Sequence, residues 1–441
     1  MTKVAFISLG CVKNLVDTEV MLNNLYEAGF EITFEVEEAE IVIVNTCGFI
    51  ESAKQESIDN ILDCEELKKY AKCKHIIATG CLVERYRDEV MRELPEVEAL
   101  VGVGSLNKIS DACRAVMNGE KYTSFEDKNS SLLGGGRVLT TMPHTAYLKI
   151  AEGCDNLCTY CAIPMIRGRL RSRTIEDIVE EARQLEAEGV KELNLIAQDT
   201  TRYGLDIYGE YKLCDLVKAI CQETSIPWIR LLYCYPDKIT DDLIEQMRDN
   251  PRLLSYMDIP IQHISDNILK AMNRHGDKAL IRSTVKKLRE RVPDIVLRTT
   301  AMVGFPGESE EDFEELCEFV KEARFERFGA FTYSPEEDTA AASMPMQIDP
   351  QVKQDRYDVL MQTQLLVTEE LSARLLGKRR TVIIDGYDSA ALVYFGRSYA
   401  DAPDVDGKIF VRAPRGALEV GEFYEVEIAE ALDYDLIADP V

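Results

Sequence analysis

Cys154, Cys158 and Cys161 form a CxxxCxxC arrangement, Cys154-Asp155-Asn156-Leu157-Cys158-Thr159-Tyr160-Cys161, just after a strand-like run over residues 146–150. Three thiolates at this spacing suit a cubane 4Fe–4S cluster, which is usually held by four cysteines. Three ligands leave one iron open. An open iron can chelate S-adenosylmethionine (SAM) through its amine and carboxylate, and electron transfer can then break an S–C bond to give an adenosyl radical. The protein's part is to position SAM and exclude water. Tyr160 places an aromatic ring beside that site. The alternatives are a zinc site or chance spacing. Zinc favours four ligands in paired Cys or His arrangements, and no fourth lies nearby.

A second set repeats a different theme. Ser8-Leu9-Gly10-Cys11, Asn45-Thr46-Cys47-Gly48 and Thr79-Gly80-Cys81 each put a cysteine just past a predicted strand, over residues 4–9, 41–45 and 75–79. Ligands bind at the carboxyl ends of strands in open α/β sheets. Adjacent strands would gather Cys11, Cys47 and Cys81 in one crevice, where the neighbouring glycines permit close backbone approach. This reads as a second three-cysteine 4Fe–4S site; the alternative is three unrelated buried cysteines. The other seven of the thirteen cysteines, Cys64, Cys73, Cys113, Cys214, Cys221, Cys234 and Cys317, stand singly and read as small buried hydrophobes.

Further along, polar or glycine-rich segments end strand-like runs. Gln198 could meet the amino-acid end of SAM and Arg298 its ribose or carboxylate. Gly304 and Gly307 would let the backbone approach it, although ordinary turns explain these glycines almost as well. His263 reads as a hydrogen-bonded structural histidine, with a substrate-pocket role as the alternative. Arg167, Arg169, Arg171 and Arg173 alternate, so an extended chain would place them on one face. They could neutralise a cluster, clamp a carboxylate or pair with acidic surface.

The elements that must position these residues alternate. Residues 1–117 give four strands, each followed by a helix, as expected for a parallel, flavodoxin-like α/β domain. Residues 118–139 are rich in turn signals and read as a linker, either free or packed across a surface. Residues 140–373 give six β/α units, a partial TIM-like (β/α)6 barrel whose chemistry belongs at the carboxyl ends of its strands. Residues 374–441 give short strands over 380–385, 391–396, 407–411 and 424–429, a small OB-like β-barrel.

The net charge is −27. Residues 1–117 hold 12 Lys+Arg against 21 Asp+Glu, and residues 378–441 hold 7 against 13. Nucleic-acid binders normally carry a basic stripe, and no segment here does. The acidity suits a basic partner, or simple solubility. No run reaches the roughly 18–20 apolar residues of a membrane span. The opening Met1-Thr2-Lys3-Val4-Ala5-Phe6-Ile7 lacks the regions of a signal peptide, so a cytoplasmic location is expected.

Both cysteine trios, the three-part layout, and the phrases Cys161-Ala162-Ile163-Pro164, Arg167-Gly168, Ser172-Arg173, Gln198-Asp199-Thr200 and Gly304-Phe305-Pro306-Gly307-Glu308 resemble the methylthiotransferase family of radical SAM enzymes. The likeness spans essentially the whole chain. It implies an N-terminal methylthiotransferase domain, a radical SAM core and a C-terminal TRAM domain. Cys11, Cys47 and Cys81 match the family's auxiliary-cluster ligands, and Cys154, Cys158 and Cys161 its SAM-cluster ligands. That family modifies either transfer-RNA adenosines or an aspartate β-carbon of small-subunit ribosomal protein twelve. Leu170, where the transfer-RNA branch usually has an acidic residue, the tail Asp433-Tyr434-Asp435-Leu436 and the acidic C-terminal domain favour the ribosomal protein, with transfer RNA the alternative and a non-catalytic iron–sulfur scaffold a remote one. The resemblance further implies two 4Fe–4S clusters, two SAM, an electron donor such as flavodoxin or ferredoxin, and a sulfur donor.

Overall fold

Continuous apolar strands need cover on both faces, and the first domain provides it. The computed structural model describes residues 1–131 and 133–441. Strands β1 (Lys3–Ser8), β2 (Glu31–Ile32), β3 (Ile41–Thr46), β4 (His75–Gly80), β5 (Ala99–Val101) and β6 (Tyr122–Ser124) form one parallel sheet in the order β2-β1-β3-β4-β5-β6. Every residue of β3 is buried, and separate apolar clusters pack on the two faces. Two strands escape the sequence pattern. β2 has only two residues, and β6 is the polar run Tyr-Thr-Ser inside the segment expected as linker. Beyond β6 that segment packs across the joint between domains. The Val138 amide donates to Glu19 O at 3.1 Å, and Arg137 Nη1 to Tyr147 O at 2.6 Å.

The second domain begins with β7 (Thr145–Lys149) and a short antiparallel hairpin of β8 (Ala151–Glu152) and β9 (Arg171–Ser172). Then follow β10 (Glu192–Ile196), β11 (Trp228–Leu231), β12 (Leu253–Asp258), β13 (Val296–Val303) and β14 (Arg327–Thr332). β7 and β10 to β14 pair in sequence order, all parallel, as an open six-stranded half-barrel. Side chains alternate along each strand. In β10, Leu193 and Leu195 join the large cluster shared with the outer helices, while Glu192 and Asn194 are buried polar groups on the other face.

The third domain is a closed barrel of β15 (Arg379–Asp388), β16 (Val393–Arg397), β17 (Ile409–Val411), β18 (Phe423–Ala431) and β19 (Leu436–Pro440). β19 was not expected. It closes the barrel by pairing with both β17 and β18. This barrel covers the amino end of the half-barrel. Arg397 Nη1 contacts Glu192 at 2.5 Å and its Nε contacts Asp385 at 2.7 Å, while Arg230 meets Glu192 at 3.0 Å. One apolar cluster reaches all three domains, from Val16 through Tyr147, Trp228 and Tyr256 to Ile383 and Ala402.

Burial alone would raise the Glu192 and Asp385 carboxyls. For Glu192, Arg397 and Arg230 outweigh it; for Asp385, His144 and Arg397 do, so both carboxyls lie below their ordinary values. Unfolded carboxyls therefore bind protons at higher pH than folded ones. Docking stability from these pairs is complete above the ordinary carboxylate range and lost as the pH falls through and below it. Glu192→Ala leaves Arg230 without its carboxylate and is expected to cost about 3–5 kcal/mol. The chain's one tryptophan, Trp228, packs edge-on against Phe423 of the third domain with centroids 4.8 Å apart. Its fluorescence during urea unfolding of wild type and variant reads the docking directly.

Candidate active site

The first trio follows from the sheet. β1, β3 and β4 are neighbours with level carboxyl ends, Ser8 opposite Asn45 and Asn45 opposite Thr79. Cys11, Cys47 and Cys81 are the first residues or nearly so beyond them. Gly10, at φ +84°, lets Cys47 close in: a Cβ there would lie 2.8 Å from Cys47 Sγ. Asn14 ties two of the loops together, its Nδ2 donating to Leu9 O and Thr46 O at 2.9 Å. Burial pushes the Cys47 thiol up and the Cys81 thiol to about 12, and the neighbouring cysteines add to both. Cys47 and Cys81, both buried, therefore resist ionisation unless a metal takes the charge, while Cys11 is the exposed member of the trio.

The second trio sits on the loop that β8 opens and β9 closes. Gly153, at φ +75°, brings the chain against Gly168 and Arg169; a Cβ would meet Arg169 O at 2.0 Å. The Cys154 amide donates to Gly168 O at 3.2 Å. Across the mouth, Asn273 Nδ2 donates to Leu157 O and Thr159 Oγ1 to Ala271 O, both at 2.9 Å. Burial drives the Cys154 thiol to about 11 and the Cys161 thiol to about 12. Cys158 Sγ lies 3.6 Å from Tyr235 Oη. Among the described residues no three His, Cys, Asp or Glu donors converge on a single-ion site; cysteines that bind separate irons of a cubane need not do so.

A buried network joins the trios. The helix Ile163–Arg167 follows Cys161 directly and packs Ala162 and Ile166 on Cys81. Arg167, 1% exposed, reaches Asp17 at 2.6 Å, Glu152 at 3.0 Å, Cys81 Sγ at 3.4 Å and the Asn14 side chain. Lys149 closes the ring on Asp17 at 2.5 Å and Glu152 at 2.8 Å. Burial would raise the Glu152 carboxyl, but Arg167 and Lys149 hold it far below the ordinary range.

The residues expected to meet SAM divide. Gln198 Nε2 donates to Glu152, and its Oε1 is buried without a partner among the described residues, as are Asn156 Oδ1, Gln262 Oε1 and Tyr333 Oη. All four belong to strand ends or to the cysteine loop, and such orphaned atoms suit a polar ligand. Tyr160, Phe305 and Tyr333 form an aromatic wall, Phe305 lying 6.5 Å from Tyr160 and 5.3 Å from Tyr333 between ring centroids. Arg298 is engaged elsewhere: it meets Asp258 at 2.9 Å and Asp406 of the third domain at 3.5 Å. It stands near the start of β13, which runs towards the mouth from there, so it is corrected to a joint between domains. Gly304, at φ +72°, makes room for Lys353, whose Cγ would lie 2.3 Å from a Cβ there.

His263 is fully buried; its Nδ1 accepts from the Ser265 amide at 3.0 Å, while its Nε2 has no hydrogen-bond partner among the described residues. The four arginines do not share a face, because only Arg171 lies in a strand. Arg169 pairs with Asp155, Arg171 binds Ser131 O, and Arg173 binds Asp177 and Glu181. Sequence reasoning missed Lys13, Asn14, Asp17, Glu152, Tyr233, Tyr235 and Arg274. Arg274 is buried, stacks over Tyr235 at 4.1 Å and bonds Pro260 O. Only the closeness of Lys13, Asn14 and Asp17 to Cys11 signalled any of them.

Comparison with known proteins follows this layout. Residues 3–102 match the Uncharacterized protein family UPF0004, residues 148–320 the Radical SAM superfamily, and residues 376–441 the TRAM domain. The ribosomal protein uS12 methylthiotransferase RimO of Clostridium botulinum (strain Eklund 17B / Type B) is 48% identical over 439 residues, 99% of this chain and 97% of that one. The RimO of Thermoanaerobacter sp. (strain X514) is 47% identical and covers 100% of both chains. In fold, the chain resembles the radical S-adenosylmethionine methyltransferase TsrM from Kitasatospora setae, solved with tryptophan substrate and a SAM analogue. That match has a TM-score of 0.58 at 12% identity over 83% of this chain and 89% of that one. Fold and sequence thus define a radical SAM enzyme with a C-terminal TRAM domain. Within that class, the chain belongs to the family of ribosomal protein uS12 methylthiotransferases, RimO.

A ligand role for both trios makes the iron separable. Gly10→Ala pushes on Cys47, and Gly153→Ala on the loop of Cys154. Each is expected to lose about half the iron taken up on anaerobic reconstitution, one four-iron cluster of two. Gly329→Ala, where a Cβ meets nothing within 4 Å, is expected to keep it all.

Proposed function

We propose that this chain transfers a methylthio group to the β-carbon of an aspartate in ribosomal protein uS12. Cys154, Cys158 and Cys161 would hold the SAM-binding 4Fe–4S cluster, and Cys11, Cys47 and Cys81 an auxiliary 4Fe–4S cluster. The observation that carries this reading is the direct junction of the two trios through the helix Ile163–Arg167, whose Arg167 reaches Cys81 Sγ at 3.4 Å. When bound, the clusters and two SAM supply hydrogen-abstracting radical chemistry and the methylthio sulfur.

The chain's own residues do the rest. The target C–H is weakly acidic and lies beside a carboxylate, so acid–base catalysis suits it poorly. Gln198 and Asn156 offer polar contacts to SAM, and Tyr160 borders it. The wall of Tyr160, Phe305 and Tyr333, backed by Met302, keeps water from the reactive centre. Asn273 and Thr159 hold the cysteine loop against the barrel rim.

An electron donor such as flavodoxin or ferredoxin and a separate sulfur donor complete the reading, which places the reaction in the cytoplasm. Among the described residues no helix is long and apolar enough to cross a membrane. The test is anaerobic turnover with a peptide of uS12 containing the target aspartate, read by mass spectrometry. The expected result is a mass gain matching methylthiolation together with 5′-deoxyadenosine. Peptide left unmodified by enzyme with both clusters in place would overturn the function.

A further inference from the structure

We propose that Lys13 binds the carboxylate of the substrate aspartate and so selects aspartate over asparagine; this rests on the function proposed above. Lys13 is 6% exposed. Among the described residues its ammonium makes no hydrogen bond or ion pair, and its close neighbour is the Tyr233 ring, 3.0 Å from Nζ to centroid. Lysines are rarely buried without a partner, because an isolated buried charge is costly. The carboxylates whose fields reach it are already engaged. Asp258 binds Arg298 and the Tyr233 amide, and Glu152 binds Lys149 and Arg167.

Its place in the site says which anion is missing. Lys13 lies in the first turn of the helix Val12–Glu27, two residues past Cys11. Tyr233 and Tyr235 flank Cys234 just beyond β11. Tyr233 lies against Lys13, and Tyr235 Oη lies 3.6 Å from Cys158 Sγ. This short segment therefore reaches from the neighbourhood of one trio to the other, and the ammonium stands at its auxiliary-cluster end. A carbon that loses hydrogen on one side and gains sulfur on the other must sit between the trios. In an aspartate side chain the carboxylate is bonded to that carbon. Bringing it into a mouth walled by tyrosines and buried thiols needs a cation, and a cation there disfavours the neutral amide.

The test uses two uS12 peptides that differ only in Asp or Asn at the target position. Their binding to the reconstituted, SAM-loaded holoenzyme is measured anaerobically by fluorescence anisotropy, with iron content and cluster spectra checked for each protein. Wild type is expected to bind the Asp peptide about 10- to 100-fold more tightly, the scale of one charge-assisted hydrogen bond. Lys13→Met is expected to bind both alike, and Lys13→Arg to keep most of the preference. Equal binding of the two peptides by wild type overturns the proposal, whether or not any variant folds. So does a Lys13→Met that keeps the wild-type ratio, and a shift of the auxiliary-cluster potential with that ratio unchanged would show that Lys13 serves the cluster instead. Wild-type turnover separates this inference from the one beneath it: no methylthiolated Asp peptide overturns both, whereas normal turnover with an unchanged ratio overturns only the role of Lys13.

Discussion

Four buried charges, Asp17, Lys149, Glu152 and Arg167, hold the molecule's chemistry in register. Two come from the start of the half-barrel, one from the helix after the second cysteine trio and one from the helix after Cys11. Their signs balance, and each oppositely charged pair is in contact. That matters because a buried ion pair offers little net stability, while breaking one is expensive. The network therefore works less as glue than as a specification. In the arrangement that satisfies all four charges, Arg167 touches Cys81.

The same logic operates at the opposite end of the half-barrel. Glu192 and Arg230 would be stranded inside an open barrel if the third domain did not insert Arg397 and Asp385. Asp401 and Asp406 meet Arg327 and Arg298 in the same manner. Several acids that made the third domain look like a dock for a basic protein are thus internal, and match arginines of its own chain. The charge argument for the substrate is correspondingly weaker than the count suggested. The family relationship, with identity near one half over whole chains, is what supports the proposed substrate.

What could be read from sequence has a physical pattern. The parallel sheet and the half-barrel were legible because buried strands leave uninterrupted apolar runs, and the equivalence of Cys11, Cys47 and Cys81 followed from three such runs ending alike. β6 and β19 were not legible. One is polar and three residues long, and the other is fixed by closure of a barrel rather than by its own pattern. Arg298 stands near the start of its strand and pairs with Asp258, 40 positions earlier, and Asp406, 108 positions later, while Gly304 makes room for Lys353, 49 positions further along. Side-chain partnerships across such separations leave no local periodicity. The buried network was invisible for the same reason.

The helix Val12–Glu27 concentrates these demands. Within two turns, Lys13 faces Tyr233, Asn14 the loops of the first trio, Val16 the cluster shared by all three domains, and Asp17 the buried charges; Glu19 then takes the linker through Thr140. An α-helix turns about 100° per residue. Adding or removing a single residue after Cys11 would therefore rotate every one of these contacts away from its partner at once, whatever the new residue was. Elsewhere in the chain, loops can lengthen and surfaces can drift, but this stretch has a fixed count as well as a fixed composition. Like the spacing of Cys154, Cys158 and Cys161, its length is itself under chemical constraint.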